Sequence, residues 1–213
     1  MAQISNGILG GFTGKVGTVS GYTRYGKDIM RSATSRVIDK PTALRIAQRE
    51  KIKVANLFMN AFTGTKIFST TFPNYGHGGS GYNRAMGVLL NKALKGSYPA
   101  YHIDYSEFLI SNGPLPGAQD AAVQPTPAHD VQFTWTNNSQ DGTAKATDKV
   151  ILVAYMPAKN EIIFSLDAGL RSSGYAVLSA GRLSGYVAET WIGFVSDDER
   201  LAANSVYTGQ VAL

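Results

Sequence analysis

Lys149-Val-Ile-Leu-Val-Ala-Tyr-Met156 is the stretch on which the fold reading turns. It is a nearly continuous apolar run of strand length, suited to a central strand. Pro157-Ala-Lys-Asn160 is a turn, and Glu161–Leu166 follows it as a second strand. Tyr175–Leu178, Val187–Ser196 and Ser205–Gly209 continue the series, with Asp197-Asp-Glu-Arg200 as a tight charged connection between the last two. Upstream, Val131, Phe133 and Trp135 alternate with polar neighbours. About seven short strands at such spacing predict a β-sandwich over residues 112–213. Asn112-Gly-Pro-Leu-Pro-Gly117 reads as the turn or linker into it, after a strand-like Tyr101–Ser111.

Before residue 100 the texture is helical. Lys40-Pro41-Thr42 opens the clearest helix, because proline is tolerated in a first turn and threonine caps. Leu44, Ala47, Val54, Ala55, Phe58 and Phe62 fall on one stripe, interrupted by Lys51, while Arg45, Arg49 and Lys53 lie off it. Gly64 is a natural stop, so the helix is expected over 41–62. A second helix is expected over 81–95, carrying Tyr82, Ala85, Met86, Leu89 and Ala93, with Gly96 and Pro99 closing it. The pair is joined by a loop at 72–81. The fold class is therefore α+β: an N-terminal β-arm at 1–36, a helical pair with a connecting strand at 37–111, and the sandwich.

The arm runs Gly7-Ile-Leu-Gly-Gly-Phe-Thr-Gly-Lys-Val-Gly-Thr-Val-Ser-Gly-Tyr-Thr-Arg-Tyr-Gly-Lys-Asp-Ile-Met-Arg31. Its alternation puts Val16, Thr18 and Ser20 on one face and Gly17, Val19 and Gly21 on the other. Two short strands joined near Tyr25-Gly26 make a hairpin. Its glycines let another backbone approach closely. A two-stranded hairpin is marginal by itself in water, so the arm has to pack on its own domain or on a neighbour.

A hydrophobic share of 44% and a charged share of 16% suit a folded chain and exclude wholesale disorder. Cysteine is absent, which removes disulfides, thiolate nucleophiles and Cys-ligated metals. No stretch approaches the roughly 18 consecutive apolar residues of a membrane helix. Met1-Ala-Gln-Ile-Ser-Asn lacks a basic n-region followed by an apolar h-region, so synthesis in the cytoplasm is expected, with an extracellular or particle-associated final location left open. Residues 1–66 carry eleven Lys or Arg against three acids, a balance of +8, while residues 67–213 carry nine against twelve, a balance of −3. Such asymmetry can steer nucleic acid or an anionic surface, or let the front of one copy meet the back of another.

No constellation for catalysis stands out. His77, His102 and His129 have no paired spacing, whereas a metal site needs three or four converging ligands. Asp104 and Glu107, three apart on the expected strand, would face opposite sides. Gly76-His-Gly-Gly-Ser-Gly81 lacks the Gly-Lys-Ser/Thr ending of a phosphate loop, and Gly7–Gly11 lacks the βαβ setting of a dinucleotide site. No serine sits in a Gly-x-Ser-x-Gly elbow. No cofactor and no metal are expected.

Two resemblances follow from particular residues. Phe133-Thr-Trp135, Val150–Tyr155, Trp191-Ile-Gly-Phe-Val195 and Ser205-Val-Tyr207 make the part from Leu115 onward resemble a fibronectin type III or similar immunoglobulin-like module. Across nearly its whole length, the chain resembles a bacterial family of domain-of-unknown-function proteins. The matching segments are Gly7–Tyr22, Lys40–Thr42, Ile103–Tyr105, Leu115–Gly117, Ala146–Lys149 and Asn204–Gly209. That family implies a fold and carries no activity, ligand or site to this chain.

The first functional expectation is a non-enzymatic structural protein that self-assembles into a filament or tube through the arm and the sandwich edges. Its interface candidates are Ile8, Leu9, Phe12, Val16, Gly17, Val19, Tyr22 and Tyr25. The alternative is a nucleic-acid-binding or phage-like particle component. There Lys15, Arg24, Lys27, Arg31 and Arg36 interleave with Tyr22 and Tyr25, as where rings stack on bases and cations track phosphates. A third reading, a carbohydrate- or protein-binding surface module, needs exposed aromatics at loop tips; Trp135 and Trp191 sit at strand positions instead.

Overall fold

The computed structural model describes residues 3–4, 10–32, 40–75, 78–180 and 185–213. The chain divides into two compact units, Met1–Thr42 and Ala43–Leu213. In the first unit, β1 (Gln3–Ile4), β2 (Phe12–Val16), β3 (Val19–Arg24) and β4 (Lys27–Ser32) form one antiparallel sheet in that order. Two two-residue turns make the meander. Gly17 has a left-handed φ of +56°, which a type II′ turn requires at its first central position. Tyr25 and Gly26 both have positive φ, as in a type I′ turn. The hairpin expected at Tyr25-Gly26 is therefore present. The turn at Gly17-Thr18 was not anticipated, and it corrects the expected faces: Val16 registers opposite Val19, and Ser20 opposite Lys15.

The second unit begins with α1 (Ala43–Asn60), two residues inside each expected boundary. Its buried stripe holds Ala55, Phe58 and Met59. Leu44 has the angular position of that stripe and is nevertheless 83% exposed, because it lies in the first turn, ahead of the helix's buried residues. A short α2 (Ile67–Thr71), not anticipated, buries Ile67 and Phe68. In α3 (Gly81–Val88), the Ser80 side chain caps by accepting the Asn83 N–H. The helix continues as a π turn at Leu89–Ala93 and then gives way to β5 (Leu94–Ser97), which pairs with β6 (Ala100–Ile103). Gly96 and Pro99 thus shape a hairpin and do not close a helix running to 95. Residues 105–107 form a 3-10 turn, so the expected strand at 101–111 is confined to its first residues.

The sandwich has two sheets. One has the order β11-β8-β7, from β7 (Gln119–Pro125), β8 (Val131–Thr136) and β11 (Tyr175–Leu178). The other has the order β10-β9-β12-β13, from β9 (Lys149–Met156), β10 (Glu161–Ser165), β12 (Val187–Val195) and β13 (Val206–Ala212). All strand pairs are antiparallel. Val131, Phe133 and Trp135 meet Val150, Leu152, Ala154, Ile192 and Phe194 between the sheets. On the opposite face of the four-stranded sheet, Ile151, Val153, Tyr155 and Trp191 pack with Phe58, Phe62, Phe68 and Phe108. The central strands β9 and β12 are thereby covered on both faces, which is why Lys149–Met156 is continuously apolar and does not alternate. The expected division at 111/112 falls inside this unit. Both tryptophans are core residues, Trp135 at 5% exposure and Trp191 at 0%. Among the described residues, no helix is long and apolar enough to cross a membrane.

The sandwich core also contains an ion pair. Arg171, fully buried, donates from Nε to Asp148 (3.0 Å), from Nη1 to Asn138 (2.7 Å) and from Nη2 to the Pro116 carbonyl (2.9 Å). Its guanidinium carbon lies 3.9 Å from the Phe194 ring centroid. The Trp135 indole N–H donates to the Arg171 carbonyl at 2.8 Å.

Candidate assembly and nucleic-acid interface

The arm sheet has two chemically distinct faces, and strand register creates them. Val16 pairs with Val19 and Val19 with Ser32; Gly14 pairs with Gly21 and Gly21 with Met30. These rows share a face. The chain entering β2 also lies on that face. A Cβ built at Gly21 would meet the Phe12 carbonyl oxygen at 2.2 Å and its ring at 2.8 Å, so only glycine admits this approach. Asp28 is on the same side: it accepts from the Thr23 hydroxyl at 2.7 Å and abuts Gly11.

The opposite face collects the cations. Lys15, Ser20 and Arg31 form one cross-strand row, Tyr22 and Ile29 the next, and Arg24 and Lys27 the last. The Arg31 guanidinium lies 5.5 Å from the Tyr22 ring centroid, and that of Arg24 lies 5.3 Å from Tyr25. Asp28, the one carboxylate of residues 10–32, faces away from this group.

Of the assembly candidates, Phe12, Val16 and Val19 are brought together. Tyr22 is separated from them and joins the basic set, and Tyr25 sits at the turn tip. Gly17 is also at a tip, with open space where a Cβ would go, so the turn's own geometry accounts for the glycine. Ile8, Leu9 and Arg36 lie outside the described residues. Met30, 67% exposed, completes the apolar face and is absent from the sequence-derived candidates because only β3–β4 register places it beside Gly21. Among the described residues 10–32, Gly21 alone is buried, so no side chain of strands β2 to β4 is buried.

The other unit has its own exposed apolar positions. On β11, Tyr175 and Val177 are exposed and Ala176 and Leu178 buried. On α1, Ile52 and Leu57 join Arg49, Lys53, Asn56 and Asn60 around a shallow groove of about 410 Å³.

The remaining sequence candidates have local structural roles. Asp104 is not on a strand; it caps the 3-10 turn, accepting from the Ser106 N–H (3.1 Å) and hydroxyl (2.6 Å), and the hydroxyl bond holds its carboxyl below the ordinary range. Gly81 allows α3 to abut α2, since a Cβ there would sit 1.7 Å from the Phe68 carbonyl oxygen. His102 pairs with Lys95 in the β5–β6 hairpin, His129 occupies a left-handed turn position, and His77 lies outside the described residues. Among the described residues, no group of three or more His, Asp or Glu is placed to hold a metal ion.

Helices against one face of a two-sheet antiparallel sandwich, preceded by a small glycine-rich sheet, define an α+β protein of sandwich type. The model of a family of unknown function, DUF6266, matches residues 11–209. The chain belongs to that family. No curated protein and no solved structure matches it.

Proposed function

We propose that the chain is a non-enzymatic structural protein that assembles with copies of itself, the arm of one subunit docking on the sandwich of the next. The observation that carries this reading is the arm sheet's lack of buried side chains among the described residues 10–32, with Val16 and Met30 exposed on the face they share with Val19. A small sheet becomes stable through a packed hydrophobic face, and here that face calls for a partner surface. Strand β4 is the outer strand of the arm sheet and β11 an outer strand of the sandwich, so each has one row of backbone groups open to strand addition. The exposed Tyr175 and Val177 of β11 supply apolar area next to that edge. A contact of this kind joins two different surfaces, so a series that does not close grows into a filament or tube.

Size-exclusion chromatography with light scattering tests this on the intact chain. Multimers are expected, and Val16→Gln with Met30→Gln is expected to give folded monomers. Val177→Gln on β11 should have the same effect, whereas Leu57→Gln in the α1 groove should leave the multimers in place. A strict monomer at high concentration overturns the proposal. Deleting residues 1–36 is expected to leave the far-ultraviolet dichroism of the sandwich and helices in place, because the buried residues of both core clusters, among the described residues, fall at 55–211.

A further inference from the structure

We propose that the cationic face of the arm sheet binds single-stranded nucleic acid, independently of the apolar face assigned to assembly. Lys15 and Arg31 share one cross-strand row and Arg24 and Lys27 another, with the Tyr22–Ile29 row between them on the same face. With strands about 4.8 Å apart and a rise of about 3.4 Å per residue, the four spread over a patch of roughly 10 by 14 Å. The sheet's one carboxylate is hydrogen-bonded to Thr23 on the reverse side, so it does not neutralise them face to face. A polyanion meets four positive charges on a single surface and releases counterions on binding.

Charge alone does not choose the ligand; the rings do. Tyr22 is half-buried within the patch, between Ile29 across the strand and Arg31 over its ring. Tyr25 is exposed at the turn with Arg24 over it. Guanidinium and phenol planes so placed provide stacking surfaces beside phosphate-binding cations. An unpaired base has a free face to stack on them, whereas bases in a duplex are stacked on one another. The patch lies on a sheet face and presents no helix to a major groove.

Fluorescence anisotropy with a labelled oligothymidine and a labelled duplex, using the intact chain, tests the inference. Single-strand affinity is expected to fall with salt, with a log–log slope of about −2 to −3 if three or four phosphates are neutralised. Lys15→Gln with Arg31→Gln should flatten that slope and weaken binding tenfold or more, while Tyr22→Leu should weaken binding with the slope kept. All three side chains lie outside any core, and unchanged dichroism confirms that the variants fold. Met30→Gln, on the reverse face, is expected to alter the assembly state and not the slope, so failure of either proposal is distinguishable from failure of the other. Salt-insensitive binding, duplex bound more tightly than single strand, full affinity in the double variant, or binding confined to phosphatidylserine vesicles would each overturn it.

Discussion

Replacing Arg171 with methionine should destabilise the sandwich by about 3–5 kcal/mol, the cost of leaving one charge of a buried pair without its partner. The structure shows where that cost arises. Asp148 is 1% exposed, and its Oδ2 is held by Arg171 at 3.0 Å and by the Lys145 N–H at 2.9 Å. Its Oδ1 is buried with no hydrogen-bond partner in the protein, so the guanidinium is the main compensation for this carboxylate. Asn138 and the Pro116 carbonyl lose their donors in the same substitution. Methionine retains much of the side-chain volume over Phe194, so a cavity is a minor part of the effect. A second substitution, Asp148→Asn, removes the stranded charge and keeps an acceptor for Lys145. The double variant should therefore be more stable than Arg171→Met alone. Urea denaturation followed by tryptophan fluorescence measures both, with Trp135 hydrogen-bonded to the Arg171 carbonyl as a local probe. A loss below about 1 kcal/mol for Arg171→Met, or no recovery in the double variant, would refute the reasoning, since it would place the pair in a solvated site.

Trp135→Ala is expected to cost about 3–5 kcal/mol, because its ring is buried edge-on to Phe194 at 5.9 Å; a small loss in the same denaturation assay would contradict its core position. Tyr25→Asn should strengthen the arm, since a non-glycine residue at φ +51° carries roughly 1–2 kcal/mol of strain that asparagine relieves. Slower amide exchange in β3 and β4 is the readout. Alkaline pH should destabilise the chain: burial, the first cause in each case, raises the pKa of Tyr105, Tyr155 and Tyr207, with the Glu189 carboxylate adding to it. The folded chain then holds protons that the unfolded chain releases above about pH 10, so stability is full below that value and falls above it, by about 1.4 kcal/mol per pH unit for a buried tyrosine such as Tyr155. Urea midpoints at about pH 9 and pH 11 should differ less in Tyr155→Phe than in the unaltered chain; an equal difference would remove Tyr155 from the account.

Local pattern made much of the sandwich legible. Val131, Phe133 and Trp135 alternate because β8 has one face in the core and one in solvent, and Lys149–Met156 does not alternate because β9 has none in solvent. The reason for that second pattern, a layer of helices on the outer face, lies nearly 100 residues away at Phe58 and Phe62. Long-range partners also hid Arg171, whose ligands at 116, 138 and 148 have no common spacing in the chain. The β5–β6 hairpin was misread because Gly96 and Pro99 end helices and build turns equally well, and the π turn at 89–93 continues the helical pattern up to Leu94.

The arm was legible in composition and not in arrangement, and the difference comes down to two turns. Period-two alternation holds along a single strand; a two-residue turn restarts it, because the residues flanking the turn sit opposite each other on the same face. Reading 16–21 as one strand puts Val16 with Ser20, whereas a turn at Gly17-Thr18 puts Val16 with Val19 and Ser20 with Lys15. The second turn, at Tyr25-Gly26, then brings Arg24 opposite Lys27 and Ser20 opposite Arg31. A slip of one residue at either turn would carry cations of one strand onto the face that holds Val19 and Met30. The separation of charge from apolar surface therefore depends on turn geometry, with Gly17 and Gly26 held at positive φ. Substitutions at those tips would disturb both proposed surfaces together, while substitutions within the strands address them one at a time.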